Sequence, residues 1–260
     1  MEVTLKDRRI LVTGANSGLG AAMARCFAAA GARVAINYVT HPELASALAG
    51  EIAQAGGTAI AVVADVSDAA QVAAMYAELD ARWGGIDVLV NNAGIDGPRA
   101  PAWEADPAAW ERVLRVNLMG AFLCAREALK RMVPQRSGVV LNVTSVHERI
   151  AWSGYSAYTA SKAALSMLTQ NLAQEASPFG VRVLSLAPGA IRTPINQDVW
   201  SNPDTLRDLL TKIPLGRMGE PEEIARTAAF LVSDLASYMT GSTVYADGAM
   251  TDYPEFAHGG

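Results

Sequence analysis

The chain has 260 residues, of which 51% are hydrophobic and 18% are charged, a composition typical of a globular protein. A domain of this length buries enough apolar surface to fold without a disulfide or a metal ion. The net charge is −5 and no Lys/Arg cluster occurs, so we expect no nucleic-acid partner. Charges interrupt the N-terminus and no apolar run reaches about 18 residues, which predicts neither a signal peptide nor a membrane span, and therefore a cytoplasmic location.

Short β-rich runs alternate with Ala-rich helical runs, such as residues 19–30 and 68–83. Most of the β-rich runs are continuously apolar, which is typical of strands covered on both faces in a parallel sheet. The repeated β-α-β order predicts one α/β domain, residues 1–260, with a Rossmann-type doubly wound parallel sheet of about seven strands and helices on both faces. The predicted strands are RILVT, RVAINY, TAIAVVA, DVLVN, GVVLNV, VRVLSL and STVYA.

Two segments depart from this alternation. Residues 188–217 are polar and contain four prolines, and a connection this long in a compact domain usually has a function, so we expect a substrate loop or lid. Residues 249–260 form a tail that contains Tyr253, Pro254 and Phe256. We expect this tail to dock at a subunit contact rather than to extend into solvent.

The first β-α connection reads T-G-A-N-S-G-L-G, from Thr13 to Gly20. Its glycines let the backbone turn tightly and approach a phosphate without Cβ interference, and the following helix directs its N–H groups and positive dipole end at the anion. In this strand-turn-helix context the motif predicts a dinucleotide phosphate site. The residues expected there are Gly14, Asn16, Ser17, Gly18, Leu19 and Gly20.

The spacing G-x-x-x-G-x-G resembles that of the short-chain dehydrogenase/reductase family. Further segments similar to this family follow in order over nearly the whole chain: Asp65-Val66, N-N-A-G at 91–94, Asn117, Ser145, Y-x-x-x-K at 158–162 and Pro188-Gly189. The resemblance implies an NAD(P)-dependent oxidoreductase that acts on CH–OH groups and assembles as a homotetramer. It also implies further cofactor-binding residues, which are Asp65, Val66, Asn91, Ala93, Gly94, Tyr158, Lys162, Pro188, Gly189, Ile191 and Thr193.

Tyr158 and Lys162 are four residues apart on a predicted helix, so their side chains share one face. When a carbinol carbon loses hydride, its oxygen must also lose a proton, and Tyr158 is the candidate base in oxidation and acid in reduction. A nearby cation favours the phenolate and lowers the pKa of a tyrosine, which is the role expected of Lys162. Ser145 would hydrogen bond the reacting oxygen. By resemblance, Asn117 holds a water that links Lys162 to solvent.

The tip of the second strand decides between the two cofactors, because an acidic residue there binds the ribose 2′-hydroxyl and repels a 2′-phosphate. Tyr38 stands where NAD-selective relatives carry Asp, and Val39 stands where many NADP-selective relatives carry Arg. Asn37, Thr40 and His41 could offer hydrogen bonds. The sequence therefore predicts NADP or NAD, with a slight preference for NADP.

Several segments are similar to bacterial glucose 1-dehydrogenases, including T-S-V-H-E-R-I around Ser145 and the C-terminal A-D-G-A-M-T-D-Y-P. This resemblance implies oxidation of an aldose to a lactone, although residues 97–103 depart from the pattern. A sugar site needs many hydrogen-bonding groups. The polar side chains expected to contact the substrate are Asp96, Ser145, His147 and Asn196, with Glu148 nearby.

Two other functions are compatible with the same motifs. One is a 3-oxoacyl-carrier-protein reductase or a broad-specificity NADPH carbonyl reductase, although Gln174 stands where a basic docking residue is expected. The other is a nucleotide-sensing protein without turnover, against which the Tyr158/Lys162 pair argues. A metal-dependent mechanism is not predicted, because His41, His147 and His258 are scattered and the cysteines lack ligand spacing.

Overall fold

The computed structural model describes residues 3–252. Within them, seven parallel strands form one sheet in the order β3-β2-β1-β4-β5-β6-β7, which confirms the predicted fold class. The strands are β1 (Arg9–Val12), β2 (Arg33–Tyr38), β3 (Thr58–Val63), β4 (Val88–Asn91), β5 (Gly138–Val143), β6 (Val181–Pro188) and β7 (Thr243–Ala246). The α-helices are α1 (Gly18–Ala29), α2 (Pro42–Gln54), α3 (Ala69–Trp83), α4 (Pro107–Leu114), α5 (Ala121–Gln135), α6 (Ser156–Ala176), α7 (Gln197–Trp200), α8 (Pro203–Leu210) and α9 (Pro221–Val232).

The strands are apolar throughout because each face of the sheet carries its own core. Ile10 and Val12 of β1 pack with α1, α2 and α9, whereas Leu11 between them packs with α3, α5 and α6 on the opposite face. Alternate residues of a strand point to opposite faces of the sheet. In a strand that is buried on both faces, both alternating sets of side chains are therefore apolar. This is why the β-rich runs are recognisable in the sequence.

Strand order reverses between β1 and β4, because β1 pairs in parallel with β2 on one side and with β4 on the other. In doubly wound sheets, ligands bind beyond the carboxyl ends of the strands at such a switch point. The predicted site residues follow the strand ends and therefore converge on this edge. They are Gly14 after β1, Tyr38 at the end of β2, Asp65 after β3, Gly94 after β4, Ser145 after β5 and Gly189 after β6.

The segment at residues 188–217 is not the continuous loop that its prolines suggest. It contains a short 3-10 turn at Pro194–Asn196 and the two helices α7 and α8. Asn202 caps α8 through its side-chain oxygen, which accepts from the backbone N–H groups of Asp204 and Thr205, and Pro203 occupies the first helical turn. Proline is compatible with a helix at this position because the first N–H groups have no intrahelical partner.

The helical run from α4 to α5 is interrupted. A π-helical turn at Arg115–Gly120 separates α4 from α5. The tail residues Tyr253, Pro254 and Phe256 lie outside the described residues. Among residues 3–252, none of the helices combines the length and apolar character needed to cross a lipid bilayer.

Arg182 on β6 connects the sheet to the C-terminal end of α9. Its guanidinium donates to the carbonyl oxygens of Leu231 (2.9 Å), Ser233 (2.9 Å) and Met239 (3.3 Å), at and beyond the C-terminus of α9. The last carbonyls of a helix have no intrahelical partner, so one cation satisfies three acceptors here. Burial lowers the pKa of Arg182, with Asp234 opposing this shift.

We expect Arg182→Met to reduce the free energy of unfolding by about 2–4 kcal/mol, because three half-buried carbonyls lose a charged donor. Urea unfolding of the variant and the wild-type protein measures this loss. Arg33→Met, at an exposed position at the start of β2, is the matched control and should change the free energy by less than about 0.5 kcal/mol. Equal effects of the two substitutions would contradict the role of Arg182.

Candidate active site

Two glycines of the first β-α connection are packed so closely that no side chain fits. A Cβ on Gly14, whose φ is +58°, would lie 2.9 Å from Cα of Ala93. A Cβ on Gly20 would lie 2.5 Å from the carbonyl oxygen of Gly14. These two positions hold the turn against the segment that follows β4 and set its shape.

Gly18 has a different role because its Cβ side faces open space. Its φ is +52°, and the nearest atom to a Cβ built there is 3.9 Å away, on Thr193. Ser17 precedes α1 without capping it, so no side chain occupies the N–H groups of the first turn. A glycine surface and an uncapped helix N-terminus, bordered by the side chain of Thr193, form a cradle that fits a pyrophosphate.

The tip of β2 contacts this cradle. Asn16 donates from Nδ2 to the carbonyl oxygen of Thr40 (2.8 Å), while Tyr38 and the 52%-exposed Val39 border the space beyond. Asn37, which the sequence left open as a cofactor donor, is buried instead. Its Oδ1 accepts from the N–H of Gly14 (3.2 Å), and its Nδ2 donates to the carbonyl oxygens of Val62 in β3 and Ala64 just after it, so Asn37 stabilises the turn from the sheet side.

Asp65 follows β3 and is held as an ionised acceptor. Its Oδ1 accepts from the N–H (2.9 Å) and Oγ (2.6 Å) of Ser67, and its Oδ2 accepts from Nη2 of Arg112 (3.2 Å). Burial raises the pKa of Asp65, but these hydrogen bonds and the guanidinium outweigh burial and leave it below its usual value. Arg112 on α4 was not found from the sequence, because the pair is 47 residues apart. Val66 beside it packs against Gly120, where a Cβ would lie 2.8 Å from the valine side chain.

The N-N-A-G segment after β4 supports the cradle. Asn92 donates from Nδ2 to the carbonyl oxygens of Thr13 (2.9 Å) and Gly14 (3.0 Å). The Oγ1 of Thr13 accepts from the N–H of Ala93 (3.0 Å). The side chain of Asn91 points into the sheet and donates to Oδ1 of Asn142 (2.9 Å), so it supports the sheet rather than lining the cradle.

Asn117 lies in the π-helical turn between α4 and α5 and joins three elements. Its Oδ1 accepts from the N–H of Ile95 (2.9 Å), and its Nδ2 donates to the carbonyl oxygen of Ile95 (2.9 Å) and to Oγ of Ser161 on α6 (3.0 Å). A π turn changes the direction of side chains along a helix and is often found at functional sites. Through Asn117 the loop after β4 is fixed to α6. The water relay implied by resemblance stays a prediction.

Ser145, Tyr158 and Lys162 come together between β5 and α6. Tyr158 hydrogen bonds with the side chain of Ser145. The Nζ of Lys162 donates to the carbonyl oxygen of Val143 (2.9 Å) and lies 5.6 Å from the centroid of the Tyr158 ring. A Cβ on Gly94 would lie 3.6 Å from this Nζ, an ordinary van der Waals contact, so Gly94 borders the lysine directly.

Burial shifts both titrating groups toward their neutral forms. It lowers the pKa of Lys162 to about 8, with Asp96 and Glu148 opposing the shift. It raises the pKa of Tyr158 to about 12, with the hydrogen bond from Ser145 opposing. The sequence predicted a lowered pKa for Tyr158, and the difference arises because the phenol is desolvated while the ammonium is directed at Val143.

On the substrate side, Asp96 and His147 flank the catalytic group. Burial raises the pKa of Asp96, and Lys162 and His147 oppose this shift. Burial lowers the pKa of His147, which favours its neutral form. Its Nδ1 lies 3.0 Å from the carbonyl oxygen of Ile150. This contact assigns the proton to Nδ1 and leaves Nε2 as an acceptor.

The other two polar candidates are engaged in local structure. Asn196 accepts at Oδ1 from the N–H and Oγ1 of Thr193 (both 3.1 Å) and donates from Nδ2 to the carbonyl oxygen of Ile191 (2.9 Å). Oε1 of Glu148 accepts from the hydroxyl groups of Tyr245 (2.6 Å) and Ser166 (3.1 Å). Asn196 therefore shapes the segment after β6, and Glu148 joins the loop after β5 to β7 and α6. Direct substrate contact by either residue stays a prediction.

Sequence reasoning missed an aromatic group beside Tyr158. His147 stacks on Trp152 with ring centroids 4.6 Å apart, and Trp152 stacks on Tyr155 at 3.9 Å. The spacing W-x-x-Y-x-x-Y at 152–158 was available as a signal, but stacking depends on the irregular loop that precedes α6.

Comparisons with known proteins identify the family to which the chain is similar. Residues 14–251 match the family described as Enoyl-(Acyl carrier protein) reductase. The chain is 44% identical to 3beta-hydroxysteroid dehydrogenase 1 of Eggerthella lenta over 98% of each chain, and 39% identical to glucose 1-dehydrogenase 2 of Bacillus subtilis over 96% of this chain and 97% of that one. The crystal structure of a gluconate 5-dehydrogenase from Burkholderia cenocepacia, in complex with NADP and tartrate, superposes with a TM-score of 0.91 at 36% identity and covers 96% of this chain and 97% of that one.

The chain belongs to the short-chain dehydrogenase/reductase family. It is an NAD(P)-dependent oxidoreductase that acts on CH–OH or carbonyl groups. The relatives differ in substrate, since one is named for a hydroxysteroid, one for glucose and one for gluconate.

We expect Tyr158→Phe to lower kcat by about 10²–10⁴-fold, because the ring remains and only the proton-transfer group is lost. The Kd for the cofactor should change by less than about threefold, or under ~1 kcal/mol. Steady-state kinetics and cofactor titration measure the two quantities. Tyr238→Phe, at a fully exposed position, is the control. A Tyr158→Phe variant that keeps more than about a tenth of wild-type kcat would rule out this role.

The buried lysine predicts a pH dependence of stability. Since the pKa of Lys162 is about 8 in the folded chain against an ordinary 10.5, the unfolded chain binds the additional proton between these values. The contribution of Lys162 to the free energy of unfolding should therefore rise with pH in this window, by roughly 2 kcal/mol between about pH 7.5 and 9.5. Burial raises the pKa of the Cys124 thiol from 9.0 to about 12, so this group opposes the rise above about pH 9 in the wild type and in every variant. Tyr158 acts in the opposite direction only above its ordinary pKa of 10.

Urea unfolding at the two pH values, for the wild type and Lys162→Met, tests this dependence. The variant should lose the rise that Lys162 contributes, whereas the exposed-site control Lys212→Met should retain it. The same pH dependence in the wild type and in Lys162→Met would show that the lysine is not the titrating group.

Proposed function

We propose that the chain is a sugar dehydrogenase of the glucose 1-dehydrogenase type, which oxidises an aldose to a lactone. The observation that supports this best is the pair of half-buried polar groups, Asp96 and His147, on either side of Tyr158 and Lys162. A buried carboxylate and an imidazole acceptor are unfavourable in an apolar pocket unless hydroxyl groups of a ligand satisfy them.

The chain's own residues perform the proton chemistry. Ser145 and Tyr158 hydrogen bond to each other and can both reach one substrate oxygen, which fixes the carbinol for reaction. In oxidation the C1 hydroxyl gives its proton to the Tyr158 oxygen as the C=O bond forms. We expect the ammonium of Lys162, whose Nζ lies 5.6 Å from the centroid of the Tyr158 ring, to favour the phenolate that accepts this proton, against the burial that raises the pKa of Tyr158. The bound nicotinamide supplies the hydride acceptor.

The residues around the cradle support NADP or NAD as cofactor, with a slight preference for NADP. Positions 38–40 carry no carboxylate to repel a 2′-phosphate, and no arginine or lysine to bind it. His41 at the start of α2 is the nearest basic side chain along the strand tip, and its Nδ1 lies 3.1 Å from Glu43, which reduces its attraction for an anion. Both cofactors should therefore be accepted.

A second candidate is oxidation of an apolar ring alcohol, as in the hydroxysteroid dehydrogenase relative. It is favoured by the aromatic group at Trp152 and Tyr155 and by the 66%-exposed Ile195 near the site. A carrier-protein reductase is less favoured, because the exposed Gln174 on α6 offers no positive charge to an acidic carrier. The Tyr158/Lys162 pair argues against a protein that only senses nucleotides.

The same proposal includes a homotetramer in the cytoplasm. Met119, Phe122 and Met167 are exposed large apolar side chains near or on α5 and α6. The edge strand β7 has one strand partner in the described sheet, and a second copy would cover such surfaces by symmetric contact.

A substrate panel tests the proposed function. The purified chain is assayed at 340 nm with NAD+ and NADP+ against glucose and a 3β-hydroxysteroid, and with both reduced cofactors against a β-keto ester. We expect turnover of glucose with either cofactor. Asp96→Asn should raise KM for glucose by about tenfold, or ~1.4 kcal/mol, because a charged acceptor for substrate hydroxyl groups is lost.

Asp7→Asn, at an exposed position far from the site, is the matched control and should leave KM unchanged. Turnover of the β-keto ester or the steroid without turnover of sugars would refute the sugar assignment and retain the redox class.

A further inference from the structure

A polar cluster begins at the turn that follows the catalytic serine. Ser145 caps the 3-10 turn Val146–Glu148, since its Oγ accepts from the N–H of His147 (3.2 Å). The carbonyl oxygen of Ser145 also accepts from the N–H of Glu148 (3.0 Å). Glu148, the last residue of this turn, is therefore joined to Ser145 and His147 through a short hydrogen-bonded segment. A contact that fixes the side chain of Glu148 also fixes these two residues of the site.

The side chain of Glu148 is held by two other elements of the fold. Its Oε1 accepts from the hydroxyl group of Tyr245 on β7 (2.6 Å) and from Oγ of Ser166 on α6 (3.1 Å). The guanidinium of Arg149, which is exposed, lies 5.4 Å from the centroid of the Tyr245 ring. The turn after β5 is therefore tied to a helix and to the edge strand, through partners that are 18 and 97 residues further along the chain.

The contact with Ser166 places the carboxylate of Glu148 close to Lys162. Tyr158, Lys162 and Ser166 are spaced four residues apart on α6, so their side chains share one face. Cβ atoms four residues apart on a helix are separated by about 5–6 Å. A group that hydrogen bonds Ser166 therefore lies about one helical turn from the lysine. The electrostatic effect agrees with this placement, because Asp96 and Glu148 oppose the burial that lowers the pKa of Lys162 to about 8.

The second carboxylate oxygen of Glu148, Oε2, is buried and has no hydrogen-bond partner among residues 3–252. A buried polar atom of this kind is unfavourable unless another interaction compensates it. The ammonium of Lys162 has only the carbonyl oxygen of Val143 as a partner in the same part of the chain. Attraction between the two charges compensates both. The other titratable and charged groups around Lys162 come from the loop after β4, the turn after β5, α6 and β7, and they are Asp96, His147, Arg149, Tyr158 and Tyr245.

We propose that Glu148 is a positioning residue, which ties the turn of Ser145 to α6 and β7 and whose negative charge keeps Lys162 an ammonium ion. Neither role requires Glu148 to touch the substrate. The charge matters for the reaction because an ammonium ion beside Tyr158 favours the phenolate that accepts the substrate proton. The inference rests on the proposed roles of Tyr158 and Lys162 in proton transfer. It does not depend on which CH–OH compound is the natural substrate.

The pH dependence of unfolding tests the charge of Glu148 without substrate or cofactor. For each chain, urea unfolding between about pH 6 and 10 is compared with that of the same chain carrying Lys162→Met, and the difference is the contribution of Lys162. In the wild type this contribution rises from about pH 8 upward, because the pKa of Lys162 is about 8 in the folded chain. Glu148→Gln keeps the shape of the side chain and one acceptor oxygen. Without the charge the lysine loses its proton earlier, so the rise should begin at a pH lower by about half a unit or more.

Two control variants separate the charge from the hydrogen bonds. Glu175→Gln removes the same charge from an exposed position further along α6, and Tyr245→Phe removes a hydrogen bond to Glu148 but leaves its charge. Neither should move the onset of the rise by more than about 0.2 pH units. Circular dichroism establishes that each variant is folded, and Glu148→Ala, with the same expected shift, replaces Glu148→Gln if the latter does not fold. The same onset in Glu148→Gln as in the wild type, or an equal shift in Tyr245→Phe, would overturn the proposal.

A kinetic measurement connects this charge to catalysis. The pH profile of kcat is recorded for the wild type, Glu148→Gln and Glu175→Gln, with the compound of the substrate panel that the wild type turns over fastest. In Glu148→Gln the profile should move to lower pH by about the same half unit, with KM within about threefold of the wild-type value. A rise in KM of about tenfold with an unmoved profile would indicate direct substrate contact and overturn the proposal. Failure of the sugar assignment is seen separately, because it changes which compound is turned over and not the onset measured by unfolding.

Discussion

The catalytic half of the molecule depends on one buried amide. Asn117 makes three hydrogen bonds, two to the backbone of Ile95 and one to Ser161, and so fixes the distance between the loop after β4 and α6. Tyr158 and Lys162 lie on α6 on one side of this connection, and Asp96 lies on the loop on the other. The π turn at Arg115–Gly120 changes the direction of the side chains along this helical run. A regular α-helix through residues 110–132 would direct the side chain of Asn117 differently, so the connection to Ile95 and Ser161 depends on the π turn.

Burial disfavours the charged forms of the two titrating groups, Tyr158 and Lys162. Lys162 is 4% exposed, and its ammonium is compensated by one carbonyl contact and by the more distant carboxylates of Asp96 and Glu148. The same desolvation that lowers the pKa of the lysine raises that of Tyr158. With a pKa of about 12 for Tyr158 and about 8 for Lys162, the neutral phenol and amine are favoured over the phenolate–ammonium pair, so the phenol is held in the protonated form that reduction of a carbonyl requires.

Features set by local sequence were predictable. The strands are readable because each is buried on both faces, and the phosphate cradle is readable because Gly14 and Gly20 cannot carry a Cβ. Features that depend on contacts between distant segments were not. Arg112 reaches Asp65 across 47 residues, and the burial of Asn37 follows from the position of β3. The helices α7 and α8 were missed because prolines were interpreted as interruptions, although Pro203 occupies a first turn, where proline is tolerated.

The two halves of the site differ in how they are built, and this explains why family membership defines the chemistry more closely than the substrate. The cofactor half consists of backbone N–H groups, glycines and strand ends, which the sheet fixes in every protein with this fold. The substrate half consists of side chains on irregular segments, with Asp96 after β4 and Trp152 in the loop that leads to α6. Substitutions there change which molecule fits without disturbing either core, since these loops lie outside the sheet. Relatives of about 40% identity can therefore share the Tyr158/Lys162 pair and be named for a steroid or for glucose.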